Sequence, residues 1–196
     1  MNLILASTSP YRAKLLENLR LPFQILDPQF DESCHVEQDP TDRCLRLAEG
    51  KARAAAGQSP QTPYLIIASD QVASLRGAIL HKPGNFDRAF EQLAACRGQW
   101  VDFNTGLCLL SNEGFMLTRT EGFAIRFRNL TDTQITRYLN LEQPYDCAGS
   151  IKAESLGIVV LDDTRGRDLN TLLGLPLMLL TEMLAEAGID VLNKIN

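Results

Sequence analysis

Segments typical of buried strands alternate along this chain with segments of helical periodicity, and this alternation constrains its fold most strongly. Strands are predicted at residues 3–6, 23–26, 64–68, 72–75, 78–80, 100–110, 115–127 and 158–161. Helices are predicted from Pro10, from Pro40 to Gly57, and at 87–96, 131–139 and 176–187, with N-caps at Ser9, Asp39 and Thr131. The pattern predicts an α/β protein. Its 196 residues, 45% of them hydrophobic, suffice for a sizeable core.

Composition narrows the partners and the location. The net charge of −5 gives no overall basic field, so we expect no nucleic acid polymer and no membrane as partner, and any phosphate site must use a local cluster of Lys and Arg. The first apolar run, Leu3 to Ala6, is too short for a signal peptide or a membrane span. Five scattered cysteines form no Cys-x-x-Cys pair, and His35 and His81 match no ligand pattern, so free thiols, structural histidines and a cytoplasmic location are expected.

A turn rich in hydroxyl groups joins the first strand to the first helix. It reads Ser7-Thr8-Ser9-Pro10-Tyr11-Arg12. The N–H groups and the positive end of a helix point at such a turn, which favours an anion. Arg12 falls in the first helical turn, where the dipole disfavours a cation unless an anion compensates it. The same residues are also consistent with an ordinary N-cap beside a surface arginine.

Two acidic segments offer groups for proton transfer or for metal binding. Asp70 follows the buried strand at 64–68, at the edge where α/β sheets bind ligands. Asp31 and Glu32 lie in a loop and carry the hard oxygen ligands that suit Mg²⁺ or Mn²⁺. An Asp in a plain turn and a solvated acidic loop would have the same local sequence. Taken alone, Lys51 and Lys82 are typical surface lysines, and the loop from Gly149 to Glu154 is a weak signal for ligand contact.

Taken as a set, these segments resemble the Maf family of nucleoside triphosphate pyrophosphatases over nearly the whole chain. The matching motifs are Ser7-x-Ser9-Pro10-x-Arg12, Asp31-Glu32, Lys51-Ala52, Ser69-Asp70-Gln71-Val72, Lys82-Pro83, Ala148-Gly149-Ser150-x-Lys152 and Gly174-Leu175-Pro176. The resemblance implies one domain over residues 1–196, with a Maf/inosine-triphosphatase-like fold: an elongated mixed sheet flanked by helices and a cleft between two lobes. It also implies pyrophosphate release from a nucleoside triphosphate, a divalent metal (Mg²⁺ or Mn²⁺) and a homodimer.

The matching positions receive roles in this reaction. Ser7, Ser9, Arg12 and Lys152 would bind the substrate, with the first three on phosphate oxygens. Lys51 and Lys82 would neutralise charge on the transferred group and the leaving pyrophosphate. Glu32, helped by Asp70, would hold the metal, and Asp70 would orient and deprotonate the attacking water. Whether Asp70 contacts the metal directly or through that water stays open.

Three further positions, Tyr11, Gln71 and Glu154, are implied to set substrate specificity. Family members that act on dTTP and UTP have Arg, Thr and Gln at these three positions. With an aromatic residue before Arg12, this chain resembles instead the branch that acts on 7-methyl-GTP. A methylated guanine is cationic, so it stacks well on an aromatic ring. Its two adjacent N–H donors suit one carboxylate, which would repel the carbonyl groups of thymine. The alternatives are the same chemistry on UTP, dTTP or CTP, and a nucleotide-binding regulator of cell division without catalysis. A P-loop enzyme is excluded, since no Gly-x-x-x-x-Gly-Lys-Ser/Thr occurs.

Overall fold

A mixed β-sheet organises the computed structural model, which describes residues 2–32, 39–59 and 63–194. Its strands are β1 (Asn2–Ala6), β2 (Phe23–Leu26), β3 (Tyr64–Leu75), β4 (Ala78–Leu80), β5 (Trp100–Ser111), β6 (Met116–Phe127) and β7 (Leu161–Arg165). They lie in the order β2-β1-β3-β5-β6-β7, with β4 paired to β3. The β1–β2 and β1–β3 pairs are parallel and the others antiparallel. Cys34 and His35, expected to be a free thiol and a structural histidine, lie outside the described residues.

Helices flank the sheet, as the resemblance implies. They are α1 (Pro10–Glu17), α2 (Pro40–Ala56), α3 (Phe86–Cys96), α4 (Asp132–Glu142), α5 (Leu177–Glu186) and α6 (Val191–Lys194), with 3₁₀ turns at Ala148–Ser150, Leu156–Val160 and Leu169–Thr171. The predicted N-caps at Ser9, Asp39 and Thr131 are confirmed, because each side chain accepts a hydrogen bond from a backbone N–H in the first turn. Within the described ranges, no helix combines the length and apolar character needed to cross a membrane.

Apolar packing divides the core into three clusters along the sheet. One lies between β1, α1 and α5 and includes Leu5, Leu16 and Leu180. A second lies under α3 and α4, around Phe103 and Phe127. The third is built from small residues, since the alanines of α2 pack on β1 and β3. There the helix lies so close to β5 that a Cβ on Gly106 would come within 2.3 Å of the carbonyl oxygen of Cys44.

Two strand predictions are wrong. The strand at 64–68 does not end before Ser69-Asp70-Gln71 but continues to Leu75, so Asp70 lies within a strand and not after it. Its polarity is tolerated there because Lys51 neutralises the buried carboxylate. The strand at 158–161 is also wrong, since Ile158 and Val159 are exposed in a 3₁₀ turn. The strand is instead the polar segment Leu161–Arg165, which pairs with β6 at the end of the sheet order, where its side chains stay exposed.

The remaining four cysteines and His81 lie within the described residues, where their burial can be compared with the prediction. Cys44, Cys96 and Cys108 are buried and Cys147 is half-buried, and these four described cysteines are free, as expected. Burial raises the pKa of Cys44 to about 11 and that of Cys96 to about 12. Both therefore remain thiols at neutral pH. The side chain of His81 is exposed, so the expectation of a structural histidine does not follow from packing.

Candidate functional site

A cavity of about 740 Å³ opens where β1 ends beside β3. Strand β1 pairs with β3 as far as Ile67, and β4 pairs with it from Ala73 onwards. Asp70 lies between these two stretches, beside the turn that leaves β1. The size falls within the range of small-molecule sites. Ten predicted site residues line the cavity: Ser7, Ser9, Tyr11, Arg12, Glu32, Lys51, Asp70, Gln71, Lys82 and Glu154.

The turn after β1 forms one wall and is organised by its own side chains. Ser7 Oγ accepts a hydrogen bond from the backbone N–H of Ser9 at 3.1 Å and from Arg12 Nη1 at 3.5 Å. Ser9 Oγ accepts from the backbone N–H of Arg12 at 3.4 Å. The two hydroxyl groups and the guanidinium are therefore held together at the start of α1, which is the arrangement expected of an anion site.

Arg12 is fixed by a loop from the far end of the chain. Its Nε donates to the carbonyl oxygen of Gly174 at 3.0 Å, and Ser69 Oγ donates to the same oxygen at 2.9 Å. Gly174 has φ +91°, and a Cβ there would lie 3.2 Å from Arg12 Nε, so both backbone and space require glycine. Burial lowers the pKa of Arg12, while the charges of Asp70 and Glu32 oppose that shift. The compensating anions thus include carboxylates of the protein itself.

Lys51, Glu32 and Asp70 form an ion triad that lines the same cavity. Together with Ser7, Ser9 and Arg12, this triad is called the charged end below. Lys51 Nζ lies 2.5 Å from Asp70 Oδ1 and 2.7 Å from Glu32 Oε1. The Lys51 and Asp70 side chains are 12% and 10% exposed, and that of Glu32 is 49% exposed. Burial acts to raise the pKa of Glu32, but the hydrogen bond and charge of Lys51, with Lys82 and Arg12 behind it, bring this pKa below its usual value. Glu32 is therefore ionised at neutral pH.

The same two carboxylates fit a divalent cation. Their oxygens converge on one ammonium nitrogen, so a cation already occupies the point between them. Among the described residues, no group of three or more His, Cys, Asp or Glu forms a complete metal site. Mg²⁺ commonly binds through one or two carboxylates together with substrate phosphates. Glu32 and Asp70 therefore suit a metal that is shared with a phosphorylated ligand.

A second group of lining residues, called the base end below, consists of an aromatic ring among acidic groups. Tyr11 is 41% exposed and lines the cavity with Glu154, Asp146 and Cys147. Burial raises the pKa of Tyr11, and the charge of Glu154, a hydrogen bond to it and the charge of Asp146 raise it further. Burial and Asp146 raise the pKa of Cys147 to about 12, so this residue remains a thiol. The ring of Tyr11 therefore lies in a negatively charged environment.

Three of the predicted site residues, Lys152, Gln71 and Lys82, differ in the groups that their side chains contact or act on. Lys152 is not among the lining residues, and its Nζ donates to the carbonyl oxygen of Glu142 at the end of α4, 3.0 Å away. Gln71 lines the cavity, but its Nε2 donates to the carbonyl oxygens of Thr171 at 2.6 Å and Leu172 at 3.2 Å. Lys82 is exposed, and its charge acts on Glu32. Substrate binding by Lys152 stays a prediction without geometric support.

Phe30, Asp146 and Cys147 are among the residues of this cavity that sequence reasoning did not predict as site residues. Asp146 and Cys147 are single polar residues between the end of α4 and the Ala148–Ser150 turn, where the local pattern carries no sign of a ligand. Phe30 directly precedes Asp31-Glu32, and a single apolar residue in an acidic loop carries no sign of a role. Only Gly50, an unexplained glycine within a predicted helix, signalled that something approaches α2 closely.

Comparisons with known proteins show the family of this chain. The family model described as "Maf-like protein" matches residues 2–187, and the chain belongs to the Maf family. The 7-methyl-GTP pyrophosphatase of Nitrosococcus oceani is 50% identical over 97% of this chain and 95% of its own length. That of Alcanivorax borkumensis is 49% identical over 96% and 95%. The solved Staphylococcus aureus Ham1 protein covers 66% of this chain and 73% of its own at 12% identity and a TM-score of 0.47, too loose a likeness to bear on function.

Proposed function

We propose that this protein hydrolyses 7-methyl-GTP to 7-methyl-GMP and pyrophosphate. One observation carries the proposal: a single cavity has cations paired with two carboxylates at one end and Tyr11 beside Glu154 at the other. The first end suits a triphosphate and the second suits a cationic purine. The names of relatives that are about half identical over nearly the whole chain support the same substrate.

The charged end would bind the triphosphate. Ser7, Ser9 and Arg12 offer hydroxyl and guanidinium donors at the start of α1. Arginine suits phosphate because its planar donors can bind two oxygens at once. Lys51 and Lys82 add positive charge where negative charge builds up on the transferred group and on the leaving pyrophosphate. Stabilisation of that charge in a partly dry cavity is the main contribution expected from the protein.

Asp70 would act on the attacking water. The water oxygen forms a bond to the α-phosphorus, the bond from this phosphorus to the bridging oxygen breaks, and pyrophosphate leaves with the electron pair. Before substrate binds, Lys51 lies 2.5 Å from Asp70 Oδ1 and occupies this carboxylate. The incoming phosphates compete for the ammonium group, which frees Asp70 to take a proton from the water. Lys51 would thus keep the base neutralised until the substrate is in place.

Glu32 and Asp70 would hold the divalent metal, Mg²⁺ or Mn²⁺. When bound, the metal neutralises phosphate charge and polarises the phosphorus–oxygen bonds. Both carboxylates already face one cation, and the low pKa of Glu32 keeps that carboxylate charged for the purpose. Binding through substrate phosphates as well would make metal and nucleotide bind cooperatively.

The base end would select the methylated guanine. A cation over an aromatic face gains about 0.5–2 kcal/mol, and Tyr11 presents such a face. Glu154 would accept hydrogen bonds from both N–H donors on the edge of guanine. The negative charge of Asp146 and Glu154 around the ring further favours a positively charged base. Gln71 would contribute to specificity through the loop at 171–172 that it holds. The homodimer, the cytoplasmic location and a single domain over residues 1–196 stay predictions.

The test is pyrophosphate release measured on 7-methyl-GTP, GTP, UTP, dTTP and CTP, with Mg²⁺, with Mn²⁺ and with excess chelator. We expect the highest kcat/KM on 7-methyl-GTP, no turnover with chelator and recovery when metal is added back. A higher kcat/KM on UTP, dTTP or CTP would move the substrate to the alternative branch. Tight binding without turnover would favour the regulator, and full turnover in chelator would remove the metal from the proposal.

A further inference from the structure

A loop at residues 27–32 carries Glu32 to the cavity and runs along one side of helix α2. Gln58 Nε2, just beyond the helix, donates to the carbonyl oxygens of Asp27 at 3.3 Å and Pro28 at 3.1 Å. Two helical turns before Gln58, Lys51 Nζ lies 2.7 Å from Glu32 Oε1. The loop is thus attached to the helix by hydrogen bonds at its start and by an ion pair at its end.

Between these two attachments, the ring of Phe30 lies directly on the backbone of Gly50. A Cβ on Gly50 would come within 2.2 Å of Phe30 Cζ and 2.6 Å of Cε2, distances that real Cβ atoms do not show. The ring therefore occupies the space that any other residue at position 50 would need for its side chain.

Helix geometry alone gives no reason for glycine at this position. Gly50 lies inside α2 and has no positive φ, and glycine weakens a helix interior relative to alanine. Gly50 also directly precedes Lys51, the residue that holds both carboxylates. Space for the Phe30 ring is thus the reason that the structure offers for this glycine.

We propose that Phe30 and Gly50 form a positioning pair: the ring seated on the helix backbone sets the height of the loop, so that Glu32 reaches Lys51 and the metal position. This inference rests on the proposed function for the role of Glu32. A methyl group at position 50 must displace the ring. Because Phe30 also lines the cavity, the ring then either lifts the loop or moves into the space beside Lys51.

The pair predicts that the effect of Gly50→Ala changes sign with the residue at position 30. With Phe30 present, the methyl group clashes with the ring. With Phe30→Val, the space above Gly50 is empty and alanine fills it. The usual advantage of alanine in a helix then appears, raising the unfolding midpoint by roughly 2–4 °C.

The experiment compares the wild type, Gly50→Ala, Phe30→Val and the double variant. Gly57→Ala is the matched control, because Gly57 caps the same helix and a Cβ there meets only ordinary contact, 3.5 Å from the carbonyl oxygen of Ala54. The measurements are the unfolding midpoint, Mn²⁺ binding from the loss of the free-ion EPR signal, and kcat and KM on 7-methyl-GTP with varied Mg²⁺.

We expect Gly50→Ala to weaken Mn²⁺ binding and lower kcat by roughly 10- to 100-fold, the range seen when the support of a metal ligand is removed. KM for the nucleotide should change less than kcat, since the base end is untouched. Phe30→Val should itself weaken Mn²⁺ binding and lower kcat, since the ring that positions the loop is gone. The double variant should lose no more of either than Phe30→Val alone and have a higher unfolding midpoint than Phe30→Val. Gly57→Ala should match the wild type in all of the metal and kinetic measurements.

Two results would overturn the proposal. One is a Gly50→Ala protein that behaves like Gly57→Ala, which would show that the ring moves aside at no cost. The other is a double variant whose fold-loss is the product of the two single fold-losses, which would mean that the two residues act independently. If the wild type released no pyrophosphate from any triphosphate, the proposed function would fail, while the unfolding midpoints and Mn²⁺ binding would still decide this inference.

Discussion

The two ends of the cavity share helix α1, which carries both Tyr11 and Arg12, but they differ in the elements that hold their carboxylates. At the charged end, Asp70 lies within β3, Lys51 within α2 and Arg12 in the first turn of α1. At the other end, Glu154 lies in an irregular segment and Tyr11 is exposed at the start of a helix. Regular elements hold side chains more tightly than loops do. The difference implies that the reaction and the choice of base can change separately.

The two ends also differ in charge. Carboxylates at the charged end lie against cations, since Lys51 contacts both Glu32 and Asp70. At the base end, the negative charges of Asp146 and Glu154 act together on Tyr11 and raise its pKa. Paired charges of both signs at one end suit exchange of a lysine for incoming phosphates and metal. A negative field at the other end suits a base that carries a positive charge.

The largest expected effect comes from Asp70→Asn, which changes the charged end alone. The substitution keeps the shape of the side chain but removes its charge, so general-base work and metal binding are both impaired. We expect kcat/KM to fall at least ~10²-fold on every active triphosphate, with the ratio between substrates unchanged. Steady-state pyrophosphate release on 7-methyl-GTP and UTP measures both quantities.

Folding is the control for this variant. Asn at position 70 still offers an oxygen to Lys51, which also retains Glu32, so the unfolding midpoint should stay within a few degrees of the wild type. Retention of most of the activity in a folded protein would place the base elsewhere. A change in the substrate ratio would contradict the separation of the two ends.

Local signals predicted the parts of this fold that short stretches of chain determine. Ser9-Pro10, Asp39-Pro40 and Thr131 start helices because a cap is satisfied within three residues. The short strands predicted at 72–75 and 78–80 pair as a hairpin, and the two residues between them have positive φ values, 52° at Arg76 and 83° at Gly77. The motifs and the specificity positions of the resemblance together pointed to ten residues that share one cavity.

Long-range contacts account for what the sequence did not reveal. Asp70 was predicted to follow a strand because residues 69–71 are polar. The local sequence does not show that Lys51, on another element, neutralises this carboxylate. Pairing with β5 continues along β3 through this segment, so the strand does not stop there. Lys152 was predicted to bind the substrate, yet its ammonium group donates to the backbone at the end of α4. Each of these outcomes depends on a residue that is distant in sequence or on another element.

A smaller effect, confined to the base end, is expected from Glu154→Ala. Removing the carboxylate leaves two guanine donors without a partner in a partly dry cavity, at a cost of ~1–3 kcal/mol. We expect kcat/KM on 7-methyl-GTP to fall roughly 5- to 150-fold. Activity on UTP should stay constant or rise, because a repulsive group is gone. The ratio of the two kcat/KM values, compared with that of the wild type, measures the effect.

Asp146→Asn is a useful companion to that variant, since it removes the neighbouring charge without touching Glu154. It should shift the same ratio less, because Asp146 would act through its field and not through hydrogen bonds to the base. An unchanged ratio of kcat/KM values in Glu154→Ala would mean that Glu154 is a solvated loop acid and does not recognise the base.

The smallest expected effect comes from Tyr11→Ala, which removes the aromatic face and leaves both carboxylates. A cation–π contact of about 0.5–2 kcal/mol corresponds to a rise in KM for 7-methyl-GTP of roughly 2- to 30-fold. Tyr11→Trp should be tolerated, because the larger ring offers a stronger cation–π face. KM values on 7-methyl-GTP and on unmethylated GTP test whether the ring senses the charge, since GTP stacks without it. If both substrates lost equally, the ring would stack on any purine, and the negative field of Asp146 and Glu154 would be left as the source of preference for a cationic base.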